Sequence, residues 1–519
     1  MPDTQRPLTS LPCCYVLQRH AREMPDRTAI VDGLTGESVT YGELHERVMR
    51  IAGGLAAHGV GAGDRVACLA LNCKAYAELF LAVAWLGAVL VPLNIRHSAA
   101  ELRFIIDDSG AKALCACDQM AGLAEAAVAG HPSPGRKFLL GGAREGWLPF
   151  GALAAAGSGV AMNPAISGET LCMLLYTSGT TGKPKGCMIP QRTWTGYAVN
   201  MAACFGMGQA DTYLAFLPFF HVAGFGTALS QLILGGTIVT APHADPKLFY
   251  QLIAACRVSI VFFVPGISTA FVHDPARADT DTSSLRVFIS GAGMEKPDLV
   301  EAVETELGAR YFGIYGQTES GGKVTWADSA MVRADATTYG RVMPFYDYML
   351  ADDDDREVAP GEIGELCVRS STTMLGYWNH AAATATTLRN GWHHTGDLFV
   401  RMAGGQLKMV DRKKYLIKTG GENVYPQEVE QVLLQHPAVA DAAVIGVPDP
   451  HWGEAVKAFI VLKAGHALTG AAVIDWVAAR IAGYKKPRHV EFVAALPRNA
   501  SGKVLKNELA GSRAAPSAG

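Results

Sequence analysis

Apolar and polar positions near the start of the chain follow helical and strand patterns in turn. Thr40 stands three residues before Glu43, a spacing typical of a helix N-terminus, and the apolar residues after it recur at helical intervals. Residues 64–71 and 89–93 read as buried strands, and residues 75–87 between them have a helical pattern. Strands that alternate with helices predict an α/β fold, with a parallel sheet covered on both faces.

The rest of the chain divides into stretches of different pattern. Residues 120–170, rich in Ala, Gly, Ser and Pro, are interpreted as a loosely patterned connection, after which the alternation resumes. Beyond residue 345, short alternating strands indicate a small antiparallel barrel or sheet, with the four aspartates at 352–355 in a solvated turn. From Lys413 onward, a helix beginning at Pro426 and the strands around it predict a compact α+β unit of about a hundred residues.

Composition narrows the class of protein. With 519 residues, 49% of them apolar and 18% charged, the chain is globular and long enough for two or more domains. Its net charge of −3 gives no electrostatic attraction to nucleic acid or to an anionic membrane. The eleven cysteines are scattered and no secretory signal stands out, so we expect structural thiols in a cytoplasmic protein. The longest apolar run, residues 79–93, is too short for a membrane span.

A glycine-rich loop follows directly on the apolar run 171–175. Residues 176–186 combine three glycines with four serine and threonine hydroxyls and two lysines. Glycine permits close approach of the backbone, and hydroxyl and ammonium donors suit a polyphosphate. The loop is not a Walker A motif, because Gly179 and Gly182 are separated by two residues and Lys183 is followed by Pro184. A P-loop kinase is therefore disfavoured.

Further candidate residues stand among small and aromatic residues. His221 lies in such a stretch, 217–226, where a lone histidine is more often a core residue than a functional one. Residues 287–293 run from a strand into a glycine turn, without the third glycine of a dinucleotide fingerprint. Residues 314–319 add an aromatic ring that can stack on a base, and the carboxylate of Glu319, which can bind a hard metal ion.

The C-terminal third contributes acids, an arginine and a lysine. Asp397 follows a glycine turn, and Asp411 precedes Arg412. Carboxylates suit ribose hydroxyls, and a guanidinium suits phosphate. Lys503 stands on a glycine-bearing turn near the C-terminus, where an exposed lysine without a function is the usual case.

Taken together, these stretches resemble the adenylate-forming superfamily of acyl-CoA synthetases, adenylation domains and firefly luciferase, over nearly the whole chain. Six motifs match in the expected order, and none is broken. The resemblance implies a large N-terminal domain, residues 1–412, of two layered α/β subdomains plus a small β-barrel. It also implies a smaller, mobile α+β domain, residues 413–519, with a hinge near Lys414 and the active site between the two domains.

The resemblance assigns a role to each matching position. The nucleotide's base and nearby atoms would contact Ser290, Gly291, Ala292, Tyr315, Gly316 and Thr318. Its ribose would be held by Asp397 and Arg412, and its phosphates by Thr177, Ser178, Gly179, Thr180, Thr181 and Lys185. Mg²⁺ would bind Glu319 and Thr177. Catalysis would involve Lys503, His221 and Glu319, and the path of coenzyme A would involve Gly420, Gly421 and Trp452. The acyl group would contact Phe220, His221, Gly224, Val264, Gly291, Gly293 and Met294.

The leading hypothesis is an AMP-forming ligase that uses ATP and Mg²⁺ to convert an acid into an acyl-adenylate, and then transfers the acyl group to coenzyme A. The acyl residues carry no charge, which favours a hydrophobic acid with room for a bulky body. An acyl carrier protein is the alternative thiol acceptor. Two further alternatives are a protein that binds nucleotide or acyl-adenylate, and an enzyme that runs thioester formation alone. A homodimer also stays open.

Overall fold

The computed structural model describes residues 11–131, 134–177, 183–420, 422–498 and 504–511. The chain forms two compact units. The first unit consists of Met1–Tyr348 and Cys367–Thr395, and the second consists of Met349–Leu366 and Gly396–Gly519. Within the described ranges, no helix combines the length and the apolar character that crossing a membrane requires.

The first unit contains a seven-stranded sheet whose strands are parallel except at one edge. Its members, in spatial order, are Leu148–Pro149, Arg136–Leu139, Ala113–Ala116, Arg65–Leu69, Val89–Pro92, Leu171–Thr177 and Lys185–Pro190. Most of the central strands read as continuous apolar runs, because helices cover a parallel sheet on both faces. The predicted strands 64–71 and 89–93 are therefore confirmed to within a few residues.

A nine-stranded sheet is the second layer of the first unit. Its central strands are parallel and its two edges antiparallel. In spatial order the strands are Arg341–Val342, Gly322–Asp328, Arg310–Gln317, Val287–Gly291, Ile260–Phe263, Thr212–Ala215, Thr237–Thr240, Thr28–Asp32 and Ser38–Thr40. The order is not sequential, so helical crossovers join many of the neighbours, as the predicted α/β alternation requires.

Helices connect these strands, and several begin where the sequence indicates. Thr40 and Glu43 form the predicted capping box, and Gly87 ends the next helix in a left-handed conformation. Helices of the first unit are Cys13–Glu23, Tyr41–Ala57, Lys74–Leu86, Ala99–Ser109, Asp118–Val128, Phe150–Ala156, Gln191–Phe205, Val222–Ile233, Pro246–Cys256, Ile267–Val272, Pro297–Glu306, Ser329–Ala334 and Ala381–Thr387, with a 3₁₀ turn at Pro275–Asp279.

The interpretation of residues 120–170 as a loosely patterned connection is wrong. This stretch contains most of the helix Asp118–Val128, the strand Arg136–Leu139 and the helix Phe150–Ala156. An alanine-rich segment shows no contrast between an apolar and a polar face, although alanine is the strongest helix former. Its small side chains let the helix Asp118–Val128 pack closely. Ala121, Ala124 and Ala127 are all buried on one face of it.

The second unit contains a five-stranded, mainly antiparallel sheet. Its strands are Glu422–Val424, Ile417–Thr419, Gly453–Leu462, Val439–Asp449 and His489–Phe492, the last of which pairs in parallel. Pro426 is the first residue of the helix Pro426–Leu434, as predicted, and the other helices are Gly470–Ala478 and Lys506–Gly511, with 3₁₀ turns at Lys413–Tyr415 and Gly483–Lys485. The aspartates 352–355 form the predicted turn, since Asp352 accepts hydrogen bonds from the amides of Asp354 and Arg356.

A further group of short strands lies beyond residue 345. Its strands are Asp347–Ala351, Ile363–Arg369, Leu388–Arg389, Trp392–Arg401 and Leu407–Arg412. Within the first unit, Leu388 and Arg389 pair with the start of the strand Trp392–Arg401. Within the second, the end of that strand pairs with Leu407–Arg412, including Asp397 opposite Arg412. The antiparallel pairing agrees with the short strands predicted beyond residue 345.

The side chain of Asn72 joins the ends of strands from both sheets of the first unit. Its amide nitrogen donates to the carbonyl oxygens of Ala215, at 3.0 Å, and Leu217, at 2.8 Å, and its oxygen accepts from the amide of Phe219 at 2.9 Å. Asn72 is only 5% exposed, so water cannot replace these partners. We call these three hydrogen bonds of Asn72 the clamp. They set the path of the segment that leads to His221.

We predict that Asn72→Ala destabilises the protein by about 2–4 kcal/mol, because three buried backbone groups each lose a hydrogen bond. Denaturant unfolding followed by circular dichroism measures the change. Gln18→Ala, at an exposed position of the helix Cys13–Glu23, is the control and should change stability by less than about 0.5 kcal/mol. Equal stability of the two variants would contradict the clamp.

Candidate active site

The strands on either side of the glycine-rich loop are the outermost pair of the seven-stranded sheet. Leu171–Thr177 pairs antiparallel with Lys185–Pro190, and Thr177 lies opposite Lys185. The pairing therefore holds both ends of the loop side by side. Ser178, Gly179, Thr180 and Thr181 lie outside the described residues, so their contact with phosphates stays a prediction.

Three oxygen-bearing side chains meet beside this pair of strands. The Thr177 hydroxyl lies 3.5 Å from a carboxylate oxygen of Glu319, and the Tyr377 hydroxyl donates to the same oxygen at 2.9 Å. The Lys185 ammonium lies 5.3 Å from the centre of the Tyr377 ring. A carboxylate and a hydroxyl are hard oxygen ligands, so the donor set fits Mg²⁺, and the nearby ammonium adds positive charge for a phosphate.

Tyr377 is a site residue that the sequence reasoning missed. Backbone hydrogen bonds connect residues 375–378 to the strand Lys185–Pro190, from the Met188 amide to the Gly376 carbonyl at 2.9 Å and from the Trp378 amide to the Gly186 carbonyl at 2.8 Å. These bonds carry Tyr377 to Glu319 across 58 positions of sequence. In the sequence, Tyr377 stands out only as part of a glycine followed by two aromatic residues. That pattern does not predict that Tyr377 contacts Glu319.

The predicted adenine-binding turn follows the strand Val287–Gly291. Ser290 is fully buried and donates to Glu295 at 2.6 Å, while Ala292 adopts a left-handed backbone conformation with φ of 65°. That conformation is rare for a residue with a side chain and is often found at functional sites. A side chain at Gly291 would meet Ile314 at 2.7 Å, so only glycine lets the two strands pack this closely.

Glu295 also connects this turn to the segment that contains Val264. Its carboxylate accepts a second hydrogen bond, from the hydroxyl of Ser268, and the Ser268 amide donates to the carbonyl of Val264 at 3.1 Å. A side chain at Gly293 would approach the ring of Pro265 at 3.0 Å. The structure therefore brings the predicted acyl residues Val264, Gly291, Gly293 and Met294 to neighbouring turns.

Tyr315 and Gly316 lie near the end of the strand Arg310–Gln317. The Tyr315 ring packs edge-on against Tyr339 at 5.9 Å, and its hydroxyl accepts a hydrogen bond from the side-chain amide of Gln317 at 3.3 Å. Any side chain at Gly316 would collide with the carbonyl oxygen of Gly322, which would lie 1.8 Å away. The hairpin turn that follows contains Thr318 and presents Glu319.

His221 precedes the helix Val222–Ile233. A side chain at Gly224 would lie 2.3 Å from the Leu217 carbonyl oxygen, so glycine is required where this helix meets the preceding segment. The centre of the His221 ring lies 4.6 Å from that of the Phe220 ring, and His221 keeps an exposed surface. Loss of water around the ring, and then the charges of Arg96 and His97, lower the pKa of His221 to about 4. The imidazole is therefore neutral at physiological pH.

The second unit brings together the two predicted ribose ligands. The Arg412 guanidinium lies 3.1 Å from the Asp397 carboxylate, which is 1% exposed. The neighbouring Asp411 accepts hydrogen bonds from the amides of Arg412, at 2.6 Å, and Gln427, at 2.7 Å. Burial raises the pKa of Asp411, whereas those two amides and Lys506 oppose the rise. Lys414, the predicted hinge, lies in the 3₁₀ turn Lys413–Tyr415.

Gly420 and Trp452, predicted for coenzyme A, are in direct contact. The Gly420 amide donates to the Trp452 carbonyl at 2.8 Å, and a side chain at Gly420 would meet the indole at 2.6 Å. The Arg488 guanidinium lies 4.3 Å from the centre of the indole on the same unit, where it offers a cation for a phosphate. Gly421 and Lys503 lie outside the described residues, so their roles stay predictions.

Residues 17–378 match the family described as AMP-binding enzyme, and residues 428–503 match the AMP-binding enzyme C-terminal domain. This chain is an ATP-dependent, AMP-forming acid–CoA ligase of that family. The family's substrates are a carboxylic acid, ATP and coenzyme A. The two matches confirm the predicted large α/β domain followed by a small C-terminal domain. The boundary after residue 412 stays a prediction.

Similar proteins cover nearly the whole of this ligase. It is 39% identical over 492 residues to a feruloyl-CoA synthase of an Amycolatopsis species, across 95% of this chain and 97% of that protein. It is 34% identical to the long-chain-fatty-acid–CoA ligase FadD13 of Mycobacterium tuberculosis, again across 95% and 97%. The structure of o-succinylbenzoate CoA synthetase (MenE) from Bacillus subtilis, in complex with its acyl-adenylate, superposes with a TM-score of 0.83 at 30% identity, covering 97% of this chain and 98% of that one.

We predict that Glu319→Gln lowers the rate of ATP–pyrophosphate exchange by about 100-fold and raises the Mg²⁺ concentration for half-maximal rate, because the metal loses an anionic ligand. Initial rates measured across a Mg²⁺ titration test both effects. Glu301→Gln, on the exposed face of the helix Pro297–Glu306, is the matched control. An unchanged Mg²⁺ dependence in Glu319→Gln would remove this residue from the metal site.

Proposed function

We propose that this ligase activates a hydrophobic carboxylic acid, with an aryl acid as the favoured class, and transfers it to coenzyme A. The observation that carries the proposal is the uncharged, mostly apolar composition of the acyl segments, to which Phe220 and Phe225 contribute buried aromatic rings. Such a lining buries an apolar body at little cost and offers nothing to an ammonium group. Similarity to a feruloyl-CoA synthase supports an aryl acid, and similarity to a long-chain-fatty-acid–CoA ligase supports a hydrophobic acid in general.

In the first half-reaction a carboxylate oxygen attacks the α-phosphorus of ATP, and pyrophosphate leaves. We assign Lys503 to the negative charge that develops there, Asp397 and Arg412 to the ribose, and Lys185 to the phosphates. Glu319 and Thr177 would hold Mg²⁺, which supplies charge neutralisation to the triphosphate. In the second half-reaction the thiol of coenzyme A loses its proton and attacks the acyl carbon, and AMP leaves with the electron pair of the broken bond.

His221 has a different part in this proposal. Because its imidazole is neutral at physiological pH, it contributes ring surface and a hydrogen-bonding nitrogen next to the acyl group, and no positive charge. It separates the apolar acyl region from the polar nucleotide region. An uncharged ring is suited to that position, since a fixed cation would attract the substrate carboxylate away from the phosphate.

Incubation of the purified protein with ATP, Mg²⁺, coenzyme A and a panel of acids tests the proposal. We expect release of AMP and pyrophosphate and formation of thioester with aryl or long aliphatic acids. Best turnover with acetate or an amino acid would contradict the proposed substrate class. A competing holo-acyl carrier protein in the same assay separates the two thiol acceptors, and preferential loading of that protein would establish the alternative.

We further predict that Lys503→Ala and Gly421→Leu affect different half-reactions. Loss of the lysine should abolish pyrophosphate exchange and spare much of the conversion of a supplied acyl-adenylate to acyl-CoA. A leucine at position 421 should obstruct pantetheine and do the reverse, because glycine admits a ligand where a side chain would not. Separate assays of the two half-reactions check this. Equal impairment of both by each variant would rule out the division of roles.

A further inference from the structure

One lysine of the first unit is buried without an acidic partner. Lys323 lies on the strand Gly322–Asp328, is 4% exposed, and forms no ion pair with any acid among the described residues. Its amine donates to the hydroxyl of Thr227 at 2.9 Å and to that of Tyr197, and it lies 4.3 Å from the centre of the Tyr197 ring. A buried amine without a counter-charge is unfavourable, and a methionine or leucine would fill the same space with less loss of hydration.

The surroundings are shaped to hold this amine. A side chain at Gly322 would lie 2.2 Å from the Tyr197 ring, and one at Gly226 would lie 2.9 Å from it, so two glycines make room for the tyrosine. The Thr227 hydroxyl donates a hydrogen bond to the Ala223 carbonyl at 2.7 Å. Its oxygen can therefore accept a hydrogen bond from Lys323. Burial lowers the pKa of Lys323 well below the usual range of a lysine.

The hydrogen bonds of this cluster are incomplete within the described part of the chain. The hydroxyl of Tyr213 is fully buried and has no partner there at normal hydrogen-bond distance and angle. Burial raises its pKa, and the Thr227 hydroxyl comes near enough for a weak interaction that opposes the rise. The Lys323 amine bonds two hydroxyls and can form one more hydrogen bond. Buried polar groups of this kind normally have partners, so the cluster is suited to one more polar atom.

The cluster adjoins the segments assigned to the acyl group. Thr227 is on the helix Val222–Ile233, which His221 precedes and which contains Gly224. The Lys323 amine lies 4.7 Å from the centre of the Phe262 ring, and a side chain at Gly291 would meet that same ring at 3.2 Å. The Phe262 ring thus lies between the Lys323 amine and Gly291, a predicted acyl residue. The neighbouring rings of Trp194 and Phe225, 5.4 Å apart, continue the aromatic lining.

We propose that Lys323, with Tyr197 and Thr227, forms the distal end of the acyl site and selects aryl acids that carry a hydrogen-bonding oxygen on the ring, remote from the carboxylate. The inference rests on the proposed function. An oxygen on the ring would form the one hydrogen bond that the Lys323 amine has left after bonding Thr227 and Tyr197, whereas an unsubstituted ring leaves the amine without that partner. Lys323 is therefore a specificity-determining residue, and takes no part in adenylation.

The test compares acids that differ by one oxygen: 3-(4-hydroxyphenyl)propenoate with 3-phenylpropenoate, and 10-hydroxydecanoate with decanoate. For the wild-type enzyme we expect kcat/KM to favour the hydroxylated aryl acid by at least about ten-fold, the factor that one additional hydrogen bond provides. In Lys323→Met the ratio should fall towards one. Thr227→Val, which keeps the lysine and removes one partner, should lower the ratio by an intermediate factor.

Lys247→Met is the control, since it removes an exposed lysine from the same unit and should leave the ratio unchanged. A wild-type ratio near one, or the same ratio in wild type and Lys323→Met, would overturn the inference while thioester formation still supported the proposed function. If Lys323→Met does not fold, the inference is tested by the kcat/KM ratio of the wild type and by its change in Thr227→Val. Preference for the hydroxylated aliphatic acid alone would overturn the aryl class, and thioester from none of the four acids would overturn both proposals.

Discussion

The organisation of the first unit depends on a backbone pairing at the edge of its seven-stranded sheet. The strand Lys185–Pro190 pairs on one side with Leu171–Thr177 and bonds on the other to residues 375–378. These hydrogen bonds hold the two ends of the glycine-rich loop together and also set the position of Tyr377 against Glu319. Backbone pairing of this kind is insensitive to side-chain identity, so it provides a rigid frame on which charged side chains can be placed within hydrogen-bonding distance.

Glycine determines how closely the segments of the site approach one another. At Gly224, Gly291 and Gly316, a side chain would collide with a carbonyl oxygen or a neighbouring side chain. Each of these positions joins a strand or helix to the segment that would touch a substrate. Close approach without a side chain leaves room for a ligand on the other face and keeps the backbone rigid, because the neighbouring groups are packed against it.

Burial, more than direct charge pairing, sets the electrostatic character of the first unit's site. Removal of water lowers the pKa of both His221 and Lys323, and the imidazole of His221 is neutral at physiological pH. The remaining positive charge of the described site lies with groups such as Lys185, beside the carboxylate of Glu319. We therefore expect charge to be concentrated where ATP would bind, and the predicted acyl region to be mostly uncharged.

Local signals in the sequence determined much of the fold and the identity of the candidate residues. The capping box at Thr40, the proline at residue 426 and the apolar strands were readable because they depend on neighbours along the chain. The helix Asp118–Val128 was missed because alanine carries no amphipathic pattern. Only the tertiary structure decided that Tyr377 donates to Glu319 and that Lys323 is buried between Tyr197 and Thr227. Those contacts join residues on different strands and helices, and no local pattern records which distant side chains a folded chain brings together.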